Sequence, residues 1–236
     1  VNPSQQSQLQ KQAAARAAAE LLQDGMLVGL GSGSTAEITV SAIGDRVKRG
    51  LKITGVSTSE KTARLAEQLG IPLTSLESVS LLDIAIDGAD EIELGTLNLI
   101  KGGGGNLLRE KLVALASHRF IIVADDRKLV TQLGVAASVP IDVVPFAWKT
   151  TALRLERQGA KPTLRLNREG KPFVTDNANY VLDCAFGPIE SALKLQSCLD
   201  GIVGVVEHGL FVAMASQAFI GGPDRVKTVT RDLSTA

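Results

Sequence analysis

Three times in the first part of the chain, and again before residue 126, a short apolar run stands next to a stretch of helical length and periodicity. "MLVGLG" (residues 26–31), "KITGVST" (52–58), "LLDIAIDGADEI" (81–92) and "RFIIVADD" (119–126) read as strands. The stretches at 8–23, 34–50, 59–70 and 106–118 place apolar residues at helical spacing. Strands apolar on both faces, alternating with helices, require a mostly parallel sheet covered on both sides. The expected class is therefore α/β, a Rossmann-like mostly parallel sheet flanked by helices. The opening "VNPSQQ" is set outside the fold as a processed or tagged end.

The texture changes after Gly134. "VAASVPIDVVPF" carries Pro140 and Pro145, and a helix is expected from Trp148 to about Gln158. Short strand candidates follow in "KPTLRL", "KPFVTDN" and "NYVLDC", then a helix around 189–199 and a strand at 201–207. Hairpin-like pieces mixed with two helices predict a smaller inserted α+β domain. The expected division is 1–134 for the main domain, 135–208 for the small domain and 209–236 for the return.

Lys and Arg together number 25, as do Asp and Glu, so no net positive field favours nucleic acid or an anionic membrane. No apolar run is long enough to span a bilayer. Cys184 and Cys198 match neither a zinc cluster nor a redox pair, which predicts a reducing, cytoplasmic setting.

Ligands of open parallel sheets bind beyond the carboxyl ends of the strands. "GLGSGST" (29–35) lacks the full dinucleotide spacing and the lysine of a phosphate-loop NTPase. Its Gly33, with the hydroxyls of Ser32, Ser34 and Thr35 at a helix start, suits a single phosphate; a tight turn with Ser34 or Thr35 as cap is the competing reading. In "DGADE", Asp87, Asp90 and Glu91 crowd together beside Gly88 and Ala89, and need a ligand hydroxyl, a cation or a buried lysine unless they are solvated turn acids. Asp87 and Asp90 could share a magnesium ion, but the oxygen count is low and no metal is expected.

"LIKGGGGNLLREK" (99–111) sets Lys101 and the glycines 102 to 105 before Asn106, a natural helix cap. Leu108, Leu112 and Leu115 share one helix face and Glu110 points away from it, as an ordinary surface glutamate also would. Lys128 lies just past the fourth strand. His118 and His208 read as satisfied structural residues, and Asp176 and Asn177 as either cleft or turn. No serine or cysteine nucleophile with a histidine partner is visible.

Taken in order, "GLGSGSTA", "DGADEI", "KGGGGNLLREK", "ADDRK", "VTDNANYVLD" and "GLF" (209–211) closely resemble the A-type ribose-5-phosphate isomerases across nearly the whole chain. The resemblance implies a Rossmann-like domain without a dinucleotide, a smaller α+β domain, and a homodimer or homotetramer. It implies interconversion of D-ribose 5-phosphate and D-ribulose 5-phosphate, a step of the pentose phosphate pathway, with no cofactor. Glu110 falls on the family's proton-transfer glutamate, with Asp87, Asp90 and Lys101 as further catalytic residues. Substrate contacts fall on Ser32, Gly33, Ser34, Thr35, Gly88, Ala89, Gly102, Gly103, Gly104 and Lys128. The second alanine that some members carry after the third glycine is replaced here, where the loop reads Gly105-Asn106; the change is expected to retain flexibility and improve the cap.

Two other classes share features with this reading: CoA transferases, which use an acyl-carrying glutamate, and sugar-phosphate sensor modules. The basicity of Glu110 is set by opposed effects. A helix N-terminus and a lysine lower its pKa, whereas desolvation and neighbouring aspartates raise it.

Overall fold

The structure, a computed structural model, describes residues 3–231. Its first half runs α1 (Pro3–Ala19), β1 (Leu27–Leu30), α2 (Ser34–Lys48), β2 (Thr54–Ser57), α3 (Glu60–Gln68), β3 (Ile84–Asp87), β4 (Glu91–Glu93), β5 (Leu99–Ile100), α4 (Leu107–Leu115) and β6 (Phe120–Asp125). The second runs β7 (Leu129–Val130), β8 (Val139–Val143), α5 (Trp148–Glu156), β9 (Lys161–Leu164), β10 (Tyr180–Ala185), α6 (Ala192–Asp200), β11 (Val205–His208), β12 (Leu210–Phe211), β13 (Gln217–Gly221) and β14 (Val226–Thr230).

The main sheet has the order β14-β13-β6-β3-β1-β2 and is parallel except for the β13/β14 edge. Strands β1, β3, β6 and β13 are buried on both faces, whereas the edge strand β14 is largely exposed. In β6, Ile121 and Val123 pack with the core under α1 and α2, while Phe120, Ile122 and Ala124 pack on the side of α4. This is the period-two alternation of a strand with apolar cover above and below. A second, antiparallel sheet, β11-β8-β10-β9, carries α5 and α6 and has its own apolar core. A third small sheet, β12-β5-β4-β7, is gathered from segments before and after β6, and its β5 leads into α4.

Several expectations need correction. Val1 and Asn2 lie outside the described residues, as do 232–236, but residues 3–6 of the opening segment belong to α1. The helix starts at Pro3, where a missing N–H costs nothing. Residues 171–177 form no strand; they make single bridges at Pro172 and Val174, and a proline cannot donate to a ladder. β8 does form despite Pro140, because β11 pairs with it only from Ile141 onward. Ser34 and Thr35 cap nothing: the N-cap of α2 is Gly33. Ser59, by contrast, caps α3 by accepting the Thr62 N–H at 3.0 Å.

Candidate active site

β1 and β3 lie side by side near the middle of the main sheet, and the loops at their carboxyl ends meet. Asp87, the last residue of β3, joins them: its Oδ1 accepts the N–H of Ser32 at 3.1 Å and of Gly88 at 2.7 Å. Lys101 arrives from β5. Its Nζ lies 2.9 Å from Asp87 Oδ2 and 3.2 Å from Glu110 Oε2, and donates to the Gly88 carbonyl at 2.7 Å. All three side chains are buried, and Glu110 is no surface residue, because α4 turns Glu110, Lys111 and Val113 inward and leaves Leu112 and Leu115 exposed.

One ammonium between two carboxylates cannot fully offset both. Burial pushes the Glu110 carboxyl up to about 8; the Lys101 charge pulls it down, and the charges of Asp87 and Asp90 push it up again. Burial also raises Asp87 above the usual carboxylate range, against the pull of Lys101 and of two backbone N–H groups. For Lys101, burial acts against the charge, but Asp87 and Glu110 outweigh it and hold the pKa above the ordinary lysine value. Glu110 Oε2 is buried and accepts no aligned hydrogen bond within the described residues. At Glu110 the pull of the lysine therefore loses to desolvation.

The four glycines have separate reasons. Gly102 and Gly105 have φ of 99° and 80°, which side-chain-bearing residues rarely adopt. A Cβ on Gly105 would also stand 2.4 Å from the Phe173 ring. At Gly103 it would stand 2.8 Å from Asp90 Oδ1, and the Gly103 N–H donates to Asp90 Oδ2 at 2.8 Å. Gly104 is under no such constraint: a Cβ there would meet only Asn106, at 3.6 Å. Asn106 occupies the N-cap of α4 but does not cap with its side chain, which reaches back to the Gly104 carbonyl instead.

A cavity of about 290 Å³ opens onto this cluster. Ser32, Gly33, Ser34, Thr35, Gly88, Ala89, Asp90, Lys101, Gly102, Gly103, Gly104, Glu110 and Lys128 line it; Asp87 stands behind Lys101. The Ser32 hydroxyl is engaged elsewhere, 2.6 Å from that of Thr58. Glu91 does not join the other acids. It is buried, and its two oxygens accept the N–H groups of Gly134, Ala136 and Ala137. The wall also contains Lys11 of α1, which no sequence signal marks: it is one of two cations, with Arg16, in an alanine-rich helix. A larger neighbouring cavity, about 560 Å³, shares Asp90, Gly103 and Lys128 but not Lys101 or Glu110.

Residues 54–225 match the family described as ribose 5-phosphate isomerase A (phosphoriboisomerase A). The chain belongs to this family. It is 56% identical over 220 residues to the ribose-5-phosphate isomerase A of Synechococcus sp. (strain JA-3-3Ab), covering 93% of this chain and 96% of that one. The structure of ribose 5-phosphate isomerase A from Methanocaldococcus jannaschii superposes with a TM-score of 0.91 at 38% identity, covering 95% of this chain and 99% of that one. A D-ribose-5-phosphate isomerase in complex with phospho-erythronic acid gives 0.92, at 38% identity and the same coverage. The α/β class expected from the strand pattern is that of the ribose 5-phosphate isomerase A structures.

In this member of the ribose 5-phosphate isomerase A family, the "GLF" stretch holds Lys101. The Gly209 carbonyl accepts the Lys101 N–H at 2.8 Å, and a Cβ on Gly209 would stand 2.2 Å from the Lys101 carbonyl oxygen. The Phe211 ring lies 5.4 Å from the Lys101 ammonium and 5.0 Å from that of Lys111. Asp176 and Asn177 form a latch. Asp176 accepts the Glu60 N–H at 2.9 Å at the start of α3, and Asn177 accepts Arg109 Nε at 2.8 Å, one residue before Glu110. His118 is exposed, whereas His208 is buried, with Asp200 3.0 Å from Nε2 and the Leu210 N–H donating to Nδ1. Asp200, Glu207 and His208 converge as metal ligands do, but the Lys111 ammonium, 2.5 Å from Glu207, fills the place of a cation.

Proposed function

We propose that the chain interconverts D-ribose 5-phosphate and D-ribulose 5-phosphate through a cis-enediolate, with Glu110 as the base. The observation that carries this reading is the Glu110 carboxylate: buried, on the cavity wall, lifted to about 8, with one oxygen lacking an aligned hydrogen bond. A general base works best with a pKa near the working pH.

Ring opening comes first. Lys101, the ammonium that faces the cavity with Asp87 behind it, gives a proton to the ring oxygen and recovers one from the anomeric hydroxyl, with Asp87 stabilising its charge. Glu110 then takes the C2 proton of the open aldose and returns it to C1. Lys101 and the loop N–H groups stabilise the negative charge that develops on oxygen. Asp90 faces the cavity and exchanges protons between the two oxygens. The phosphate sits where Ser34 and Thr35 begin α2, between Lys11 and Lys128, and its binding energy holds C1 and C2 at Glu110. The route needs no metal, since Glu91 is committed to three amides and Asp87 to Lys101.

The test is hydrogen exchange from C2 of labelled ribose 5-phosphate. The native chain releases label, and Glu110→Gln retains sugar-phosphate binding with turnover lost. Near-full activity in that variant, or an acyl adduct on Glu110 after incubation with an acyl-CoA, overturns the reading, the second in favour of CoA-transferase chemistry. Two free cysteines, Cys184 buried and Cys198 exposed, support a reducing cytoplasm as the setting. A homodimer or homotetramer is supported by apolar exposure beside edge strand β11: Phe146 is 88% and Val203 77% exposed.

A further inference from the structure

The Gly103–Gly104 peptide separates the two cavities. Gly103 lines both, Gly104 lines only the 290 Å³ chamber, and Arg165 lines only its 560 Å³ neighbour. Arg165 follows β9 and points its guanidinium at this partition. Nε donates to Asp183 Oδ2 at 2.9 Å and Nη2 donates to Oδ1, a two-pronged grip. Nη1 donates to the carbonyl oxygens of Gly102 at 3.1 Å and Gly103 at 3.0 Å. The guanidinium also lies 5.9 Å from the ring of Phe173, the residue that rests on Gly105.

The C=O and N–H of a trans peptide point in opposite directions. The Gly102–Gly103 peptide already shows the result: its oxygen goes to Arg165 and its N–H to Asp90. In the next peptide the oxygen again goes to Arg165, so the Gly104 N–H is sent the other way, toward the substrate chamber. That N–H has no acceptor among the described residues. A peptide between two glycines meets little steric resistance to flipping, and a donor aimed correctly only part of the time stabilises charge poorly.

We propose that Arg165, braced by Asp183, is a positioning residue that keeps the Gly104 N–H aimed at the substrate oxygen on which negative charge develops. The proposal rests on the isomerase reading above. It also accounts for Gly104, the loop glycine that neither φ nor packing requires: a bare backbone lets the substrate oxygen approach that N–H.

The experiment compares Arg165→Met, Arg165→Lys and Asp183→Asn. Lysine keeps the charge but cannot hold a carboxylate in two-pronged fashion while donating to two carbonyls. Expected are a roughly ten- to hundredfold fall in kcat for both Arg165 variants and a several-fold fall for Asp183→Asn, with KM for ribose 5-phosphate within about twofold. Affinity for phospho-erythronic acid, whose planar carboxylate resembles an enediolate, falls by the same factor as kcat/KM, while inorganic phosphate binds unchanged. Native kcat in Arg165→Lys overturns the proposal, as does loss of phosphate affinity with kcat preserved. Should Arg165→Met fail to fold, Arg165→Lys and Asp183→Asn decide. Active Arg165 variants alongside an inactive Glu110→Gln refute the role of Arg165 alone; a native chain that releases no C2 label refutes the isomerase reading itself.

Discussion

A carboxylate in the first turn of a helix and 3.2 Å from an ammonium has two reasons to be acidic, yet Glu110 is held near 8 because burial outweighs both. Two consequences have opposite senses with pH. As a base, Glu110 must be ionised, so kcat/KM rises with pH and levels off above about 8, measured in the steady state at low substrate. For stability, a folded-state pKa above that of the unfolded chain means the folded state binds more protons between about 4.5 and 8, so stability falls as pH rises through that window. Glu110→Gln removes the penalty. Its thermal midpoint is expected to exceed that of the native chain at pH 9 by more than at pH 5, and a gap independent of pH would contradict the burial argument. That Asp87, Lys101 and Glu110 lie together was legible in the sequence, because strand ends and a costly glycine run mark where a ligand site is expected. Their protonation was not, since desolvation depends on what covers a side chain rather than on its neighbours in sequence.

Element placement was legible where periodicity is strong and failed where two physical rules compete. α4 is the clearest case. Its leucines predict an apolar face and hence an inward one, but Leu112 is 49% and Leu115 66% exposed, while two charged residues face inward to Asp87, Lys101 and Glu207. The helix is oriented by paired charges, and periodicity of apolar residues cannot report that. α1 is the other case. Ser7 donates to Asp125 at 2.9 Å and Lys11 lies 3.9 Å from the same carboxylate, so the helix docks against the carboxyl end of β6 and carries Lys11 to the cavity. Lys11→Met is expected to raise KM for ribose 5-phosphate about tenfold or more, the cost of one charge-assisted hydrogen bond, with kcat little changed. A fall in kcat at constant KM would move Lys11 from the phosphate to the chemistry.

On the scale of the whole molecule, the β8–β11 edge presents Val144, Phe146, Val203 and Val206 to solvent, a grouping held together by the Val144 N–H bond to the Gly204 carbonyl. A second copy meeting this edge buries it, so Phe146→Asp is expected to shift the mass measured by light scattering to a smaller species; an unchanged mass moves the interface elsewhere. No helix of the described residues is long and apolar enough to cross a membrane.

The bond from the Lys101 N–H to the Gly209 carbonyl also has a bearing on time. Lys101 is fixed by a strand that follows it by more than a hundred residues, and Lys11 must reach the same cavity from the other end of the chain. Contacts so distant in sequence close late, because the loop entropy is lost before the contact repays it. During refolding, the fluorescence of Trp148, set within the more local packing around α5, should return before turnover does. Catalytic competence is then the final signal that the fold is complete, and a nascent chain shorter than about 211 residues has the acids of the site but not the strand that fixes their lysine.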